Sequence, residues 1–237
     1  MSRGIGALPA IQELVPEWAV LLVALVTQLG DVWFLTLLVA VVYWVRPDDR
    51  EDAAVVVGLM LAGFSLITAL KYAFALPRPG QPLAELETLG PLARSLYEAT
   101  GTADGYGFPS GHAVLTTVVY GALAGRLSVG TARQRALGAA TVVALVAASR
   151  VALGVHYLVD VVAGIAVGLA FLFVANRLTA RYPTDRLTVA FSLAITLAIV
   201  ALVVSGGTID AVLLLAASFA AFGGLELRRR VRDRTSV

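Results

Sequence analysis

The chain has 237 residues, of which 59% are hydrophobic and only 14% charged, and its mean hydropathy is +0.85. Globular domains carry about 25% charged residues, so these values exclude an ordinary soluble domain, and the high apolar content excludes a disordered chain. The sequence contains no cysteine, which excludes disulfides, thiol nucleophiles and thiolate zinc sites. The composition predicts a single membrane domain over residues 1–237.

Seven apolar runs approach the length of about 20 residues with which a helix crosses a bilayer. They predict an all-α, polytopic transmembrane helix bundle of six to seven spans. A further apolar stretch, residues 14–29, either lengthens the first span or lies along the membrane interface. The seven runs are residues 32–45, 53–70, 113–127, 136–153, 158–178, 187–204 and 211–225.

The basic residues predict the orientation, because cytoplasmic loops carry the excess of Lys and Arg. Thirteen of them fall in alternate loops on one side, which we expect to be cytoplasmic: Arg46, Arg50, Arg126, Arg133, Arg135, Arg177, Arg181, Arg186, Arg228, Arg229, Arg230, Arg232 and Arg234. The other five lie on the opposite side: Arg3, Lys71, Arg78, Arg94 and Arg150. The N-terminus is therefore expected outside and the C-terminus inside, with the basic tail 226–237 as a cytoplasmic anchor on anionic lipid.

One connection on the outer side, residues 72–109, is long and rich in Pro and Gly. Loops of this length are usually functional or disordered, and the part from Leu83 to Gly105 is expected to cover a site. Arg94 within it is interpreted as a surface residue, with contact to a headgroup or a second phosphate as the alternative. The outer carboxylates are interpreted as solvated or capping groups; they are Glu85, Glu87, Glu98, Asp104 and Asp210.

The first candidate segment places two cations where an apolar helix ends. Lys71 is the only lysine of the chain, and Arg78 follows between Pro77 and Pro79, which stiffen the backbone around it. An isolated pair of this kind can also be two cations that reach from the apolar phase to the interface.

The second segment, Pro109-Ser110-Gly111-His112, directly precedes an apolar run and predicts a helix start. A Ser at or near the N-cap followed by small residues leaves backbone N–H groups and the positive end of the helix dipole free to bind an anion. Simple capping beside an unrelated histidine is the alternative.

The third segment contains Arg150, His156 and Asp160. His156 and Asp160 are four residues apart and share one face if a helix begins near His156. A carboxylate that accepts from one imidazole N–H leaves the other nitrogen bare as a nucleophile or base. Alternatively, Asp160 interacts only with the helix dipole.

Taken together, the three segments favour a functional site over the separate structural interpretations, because they bring the only lysine and the only two histidines to helix ends on one side of the membrane. Three cations and a helix N-terminus predict a pocket for a multiply charged anion, and phosphate fits best.

With these motifs the sequence resembles the type 2 phosphatidic acid phosphatases, a superfamily of lipid phosphate phosphatases that includes soluble vanadium haloperoxidases. Three family motifs appear complete and in order. They are Lys, six residues, Arg-Pro at 71–79; Pro-Ser-Gly-His at 109–112; and Ser-Arg, five residues, His, three residues, Asp at 149–160. The resemblance implies a catalytic core at about 53–178, while the last two spans, about 187–225, match no motif.

The resemblance also implies a role for each motif residue. His156 is expected to be the nucleophile that forms a phosphohistidine, oriented by Asp160, and His112 the general acid and then base. The phosphoryl oxygens are expected to bind Lys71, Arg78, Ser110, Gly111 and Arg150. We expect no metal and no cofactor, because these donors can replace a divalent ion.

The leading expectation is therefore a lipid phosphatase of the cell membrane with its active site on the extracytoplasmic side. Its partners are a lipid phosphate substrate and the bilayer, without nucleic acid, and the oligomeric state stays open. The substrate is phosphatidic acid, phosphatidylglycerol phosphate or a polyprenyl diphosphate. The alternatives are a phosphotransferase that uses the same site, a vanadate-dependent halide oxidase and a non-catalytic lipid-binding protein.

Overall fold

The computed structural model describes residue 4 and residues 6–235 of the chain. Within that part the chain forms ten α-helices joined by short 3₁₀ turns and loops, and it has no strand. The helices are α1 Ala7–Glu13, α2 Val20–Val26, α3 Val32–Val45, α4 Arg50–Phe74, α5 Pro91–Gly101, α6 Gly111–Arg126, α7 Ala132–Ala152, α8 Leu158–Arg181, α9 Arg186–Val204 and α10 Ile209–Thr235.

Each of the seven predicted apolar runs forms a helix, but only five of the described helices are long and apolar enough to cross a membrane: α4, α7, α8, α9 and α10. Helix α3 has 14 residues and α6 has 16. At about 1.5 Å per residue both are shorter than a hydrocarbon core of about 30 Å. The structure therefore supports a polytopic bundle of five to six spans, which agrees with the six to seven expected only if the bent pair counts as a span.

The sixth candidate is a bent pair formed by Ala7–Glu13 and Glu17–Gly30, which meet at 98°. Pro16 breaks the helix between them, because proline disfavours helical geometry at the residue before it. Residues 14–29 are thus part of a broken span or a re-entrant hairpin. The end of this hairpin lies beside α7.

Close contacts at glycine set the register between α6 and α8. A Cβ on Gly164 of α8 would lie 2.8 Å from the Ser110 carbonyl oxygen, and one on Gly168 would lie 2.8 Å from Thr117. Small residues of this kind let membrane helices approach closely. The two helices run parallel, so their N-terminal ends, which carry Ser110 and Asp160, lie side by side.

The long connection 72–109 is folded rather than extended, since it contains α5. Tyr97 of α5 is 1% exposed, and its hydroxyl accepts hydrogen bonds from the backbone N–H groups of Leu83 and Ala84 at 3.2 and 3.4 Å. The ring packs with residues of α2 and with Val155. This packing fixes the loop next to the turn that carries His156.

Many of the described basic residues lie at the end of the bundle opposite Lys71 and His156. Arg186 forms ion pairs with Glu51 and Asp52 at 3.4 and 2.8 Å, and Arg228 donates to the Tyr43 hydroxyl at 2.9 Å. Arg3 lies outside the described residues.

Candidate active site

Both histidines and the three predicted cations line one cavity of about 270 Å³. It lies where the C-terminal ends of α4 and α7 meet the N-terminal end of α6 and the turn before α8. The long connection contributes part of the wall through Ala99, Thr100, Thr102 and Ala103. The three motif segments come together at this cavity, as the sequence predicts. Among the motif residues the wall includes Lys71, Arg78, Gly111, His112, Arg150 and His156.

The N-terminal end of α6 forms one side of the site. Ser110 is the N-cap residue and is fully buried, yet its hydroxyl has no hydrogen-bond partner among the described residues. The amine Nζ of Lys71 would lie 3.9 Å from a Cβ placed on Gly111, so this cation sits against the free N–H groups of the first turn. Helix end and lysine thus present positive charge to the same space.

The contacts of His156 determine which ring nitrogen carries the proton. Nη1 of Arg78 lies 3.0 Å from Nε2, and because a guanidinium is only a donor, Nε2 must accept. The proton of a neutral ring therefore resides on Nδ1, which donates to the carbonyl oxygen of Gly107 at 2.7 Å. The side chain is 1% exposed. His156 thus keeps an unprotonated Nε2 in the site.

Asp160 does not hold the His156 ring in the way the sequence predicts. Its Oδ2 lies 3.7 Å from Nδ1, which is too long for a hydrogen bond, and the nearer acceptor is the Gly107 carbonyl. The prediction assumed that both residues lie on one helical turn, but α8 begins only at Leu158. Oδ2 of Asp160 instead accepts from the backbone N–H of Tyr157 at 3.0 Å. Its charge remains close to the imidazole.

Burial lowers the pKa of His156 well below its ordinary value of 6.5, and the nearby cations Arg150, Arg78 and Lys71 lower it further. The hydrogen bond to Gly107 acts in the opposite direction but is the weaker influence. The ring is therefore neutral at neutral pH, which is the protonation state that a nucleophile requires.

Arg78 is held by backbone carbonyls as well as by His156. Its Nε donates to the Asp104 carbonyl at 3.0 Å and its Nη1 to the Val155 carbonyl at 2.9 Å. Gly107 packs directly on this arginine, since a Cβ there would lie 2.9 Å from the Pro77 carbonyl oxygen and 3.2 Å from the Arg78 Cα. One glycine thus supports the arginine and supplies the acceptor for His156.

We expect Gly107→Ala to lower activity about 10- to 100-fold, because the new methyl group must push Arg78 and the Gly107 carbonyl apart. The measurement is kcat/KM on a short-chain lipid phosphate. Gly90→Ala, in the same connection, is the matched control, because nothing lies within 4 Å of its Cβ position and its φ is −62°. Equal activity of the two variants would show that the close approach at Gly107 does not support the site.

Arg150 is 3% exposed and is positioned by a residue that the motifs do not include. Its Nη1 donates to the Thr27 hydroxyl at 3.0 Å, while its Nε has no partner among the described residues. Thr27 lies in the bent N-terminal hairpin and is itself fully buried. Only the tertiary fold reveals this contact, since 123 residues separate the two side chains.

His112, at the second position of α6, faces a second residue of the N-terminal segment. Its Nε2 lies 3.8 Å from Oδ2 of Asp31 and has no hydrogen-bond partner among the described residues. Asp31 lines the same cavity. No pattern in the sequence indicates this pair beyond the position of Asp31 just before an apolar run.

Arg94 lies away from the cavity wall, in an exposed pair with Glu98 at 3.1 Å, which agrees with a surface role. Among the described residues no group of three His, Asp or Glu side chains comes together that could hold a metal ion.

Three buried polar atoms of the described chain lack a partner, and all three belong to motif residues: Ser110 Oγ, His112 Nε2 and Arg150 Nε. Buried polar groups are nearly always hydrogen-bonded, so unpaired polar atoms on His112 and Arg150 of the cavity wall, and on Ser110 next to wall residue Gly111, indicate a site that is completed by a ligand. Donors from a hydroxyl, a guanidinium and a helix N-terminus suit a tetrahedral oxyanion.

Residues 53–184, which include all three motif segments, match the PAP2 superfamily. The chain is also similar to a solved structure, that of the first transmembrane PAP2 type phosphatidylglycerolphosphate phosphatase from Bacillus subtilis, with 23% sequence identity and a TM-score of 0.58. That similarity covers 75% of this chain and 86% of the other and concerns the fold. A comparison with curated proteins found no match.

Proposed function

Because the chain belongs to the PAP2 superfamily, we propose that it is a membrane lipid phosphatase that works through a phosphohistidine on His156. The proposed substrates are a phosphomonoester or diphosphate of a lipid: phosphatidic acid, phosphatidylglycerol phosphate or a polyprenyl diphosphate. The observation that carries this proposal is the cavity itself, in which a histidine with an unprotonated nitrogen lies among three cations and next to buried polar atoms without a partner among the described residues.

In the first step the substrate phosphate enters the cationic cavity and takes over the hydrogen-bond donors of Arg78, so that Nε2 of His156 is released. Nε2 attacks phosphorus in line with the leaving oxygen, and the P–N bond forms as the P–O bond breaks. His112, as an imidazolium, transfers a proton to the departing oxygen. The Gly107 carbonyl and the charge of Asp160 stabilise the positive ring of His156.

In the second step a water molecule attacks the phosphohistidine. His112, now neutral, accepts a proton from that water, and inorganic phosphate leaves with His156 restored to its neutral form. Throughout both steps Lys71, Arg78 and Arg150 neutralise the equatorial oxygens, together with the Ser110 hydroxyl and the Gly111 N–H. No metal is needed in this scheme, because these donors provide the positive charge.

The placement of the site supports a lipid substrate. The cavity lies at the ends of α4, α6 and α7, so a phosphate can reach it while an acyl or prenyl chain stays among apolar helices.

We further propose that the catalytic core is 53–178, that the N-terminus and the cavity face the extracytoplasmic side of the cell membrane, and that the basic tail 226–237 is cytoplasmic. The unequal distribution of basic residues supports this orientation.

The proposal is tested by phosphate release from a panel of lipid phosphates by purified protein, with and without EDTA. We expect release from at least one lipid phosphate, unchanged by EDTA. Release abolished by EDTA and restored by magnesium would overturn the metal-free mechanism. Release that requires an added alcohol, with a phosphorylated alcohol as product, would identify a phosphotransferase instead. No release from any member of the panel would contradict the proposed function.

A further inference from the structure

Among the residues that the structure describes, Asp31 is the one carboxylate that lines the cationic cavity. A carboxylate in a phosphate site repels the substrate, so its presence needs a physical reason. Among the described residues its ion-pair partner is His112, whose Nε2 lies 3.8 Å from Asp31 Oδ2, with the two side chains 23% and 36% exposed respectively. Both residues also line the cavity, so both face the space that the substrate would fill.

A structural role as helix cap does not account for Asp31. It occupies the N-cap position of α3, where an Asp side chain commonly accepts from the backbone N–H groups of the first turn. Here the side chain makes no capping hydrogen bond. The carboxylate is directed to His112 instead of to its own helix.

The charges around His112 explain what such a carboxylate can do. The other charged side chains on the cavity wall are Lys71, Arg78 and Arg150, and all three are cationic. The adjacent ring of His156 is neutral in the resting state. A general acid must carry a proton before the first step, and both the burial of His112 Nε2 and three neighbouring cations oppose that proton. Asp31 is the group on the wall whose charge favours it.

We propose that Asp31 is a positioning residue for His112, and that its charge favours the protonated form of this imidazole and orients the ring for proton transfer to the leaving group. This inference rests on the proposed function and deepens it, and Asp31 lies outside the residues that match the superfamily. In the first step the proton moves from His112 to the departing oxygen, leaving a neutral ring. In the second step His112 takes a proton from water, and Asp31 stabilises the imidazolium that forms.

The leaving group provides the test. A lipid alkoxide needs a proton to depart, whereas p-nitrophenolate departs without one, so only the lipid substrate depends on the general acid. We therefore compare kcat/KM on dioctanoyl phosphatidic acid and on p-nitrophenyl phosphate. For Asp31→Asn we expect a loss of about 10- to 100-fold on the lipid and a loss below about 3-fold on the aryl phosphate.

Three further variants complete the design. Asp31→Glu keeps the charge and is expected to restore most of the activity on the lipid. Asp31→Ser removes the charge but retains a residue that favours the N-cap position, and it supplies the same comparison if Asp31→Asn does not fold. Asp210→Asn, an exposed carboxylate in the first turn of α10, is the matched control and is expected to match the wild type on both substrates.

Equal losses on both substrates in folded Asp31→Asn or Asp31→Ser would overturn the inference, because a role in substrate binding or in folding affects both. Unchanged activity on the lipid would overturn it as well. The wild type separates this outcome from a failure of the proposed function, since hydrolysis of both substrates by the wild type leaves that function intact whatever the variants do.

Discussion

Replacement of His156 by Gln is expected to lower kcat/KM on a lipid phosphate by about 10⁴-fold or more, because the variant lacks the nitrogen that we propose forms the P–N bond. Glutamine retains polarity and similar reach, and the cations of the cavity stay in place. Binding of the substrate should therefore change far less than turnover. Steady-state kinetics with purified protein measure kcat and KM separately.

A binding experiment with inorganic phosphate serves as the control for this variant. We expect His156→Gln and the wild type to bind phosphate within about 10-fold of each other, because Lys71, Arg78 and Arg150 are unchanged. Activity of His156→Gln within 10-fold of the wild type would show that phosphorus is attacked by another group, such as water.

The second large effect is expected for Arg78→Gln, which removes a donor to the phosphoryl oxygens and one cation next to His156. Loss of a single donor of this kind costs about 10²- to 10³-fold in turnover. Arg94→Gln is the matched control, because Arg94 lies on the same connection in an exposed pair and should be dispensable.

Arg78→Gln should also change the pH dependence. In the proposed mechanism His156 reacts as the neutral ring, so we expect activity to fall as the pH drops through its pKa. Burial and the cations Arg150, Arg78 and Lys71 hold that pKa well below 6.5 in the wild type, which places this loss far to the acid side. Without Arg78 the pKa rises toward 6.5, and the acid limb of kcat/KM moves to higher pH. A limb that stays in place, or moves to lower pH, would contradict this assignment.

The features that the sequence predicted well have strong local causes. Apolar runs interrupted by charged clusters give the helices of the bundle, because burial in lipid requires both the length and the composition. The motif segments were recognisable because Lys71, His112 and His156 are the only side chains of their types and each lies at a helix end. The segments converge at one cavity because they lie at the C-terminal ends of α4 and α7 and at the N-terminal ends of α6 and α8, which are at the same end of the bundle.

The features that the sequence missed depend on tertiary structure. The acceptor for His156 Nδ1 is the backbone carbonyl of Gly107, which has no signature in a sequence. The spacing to Asp160 was misleading, because His156 precedes the helix instead of lying on it. Thr27 and Asp31 reach the site only because the N-terminal hairpin bends by 98° at Pro16 and returns toward α7.

The central claim, covalent catalysis by His156, is tested most directly by trapping the phosphoenzyme in the variant His112→Gln. With ³²P-labelled p-nitrophenyl phosphate the first step needs no acid, while the second step lacks its base, so the intermediate accumulates. The protein is quenched in alkaline detergent, which preserves phosphohistidine, and the labelled peptide is identified. We expect near-stoichiometric label on the peptide that contains His156 and none when His156 is also replaced by Gln. Release of p-nitrophenol over many turnovers without label, or label on another residue, would contradict the claim.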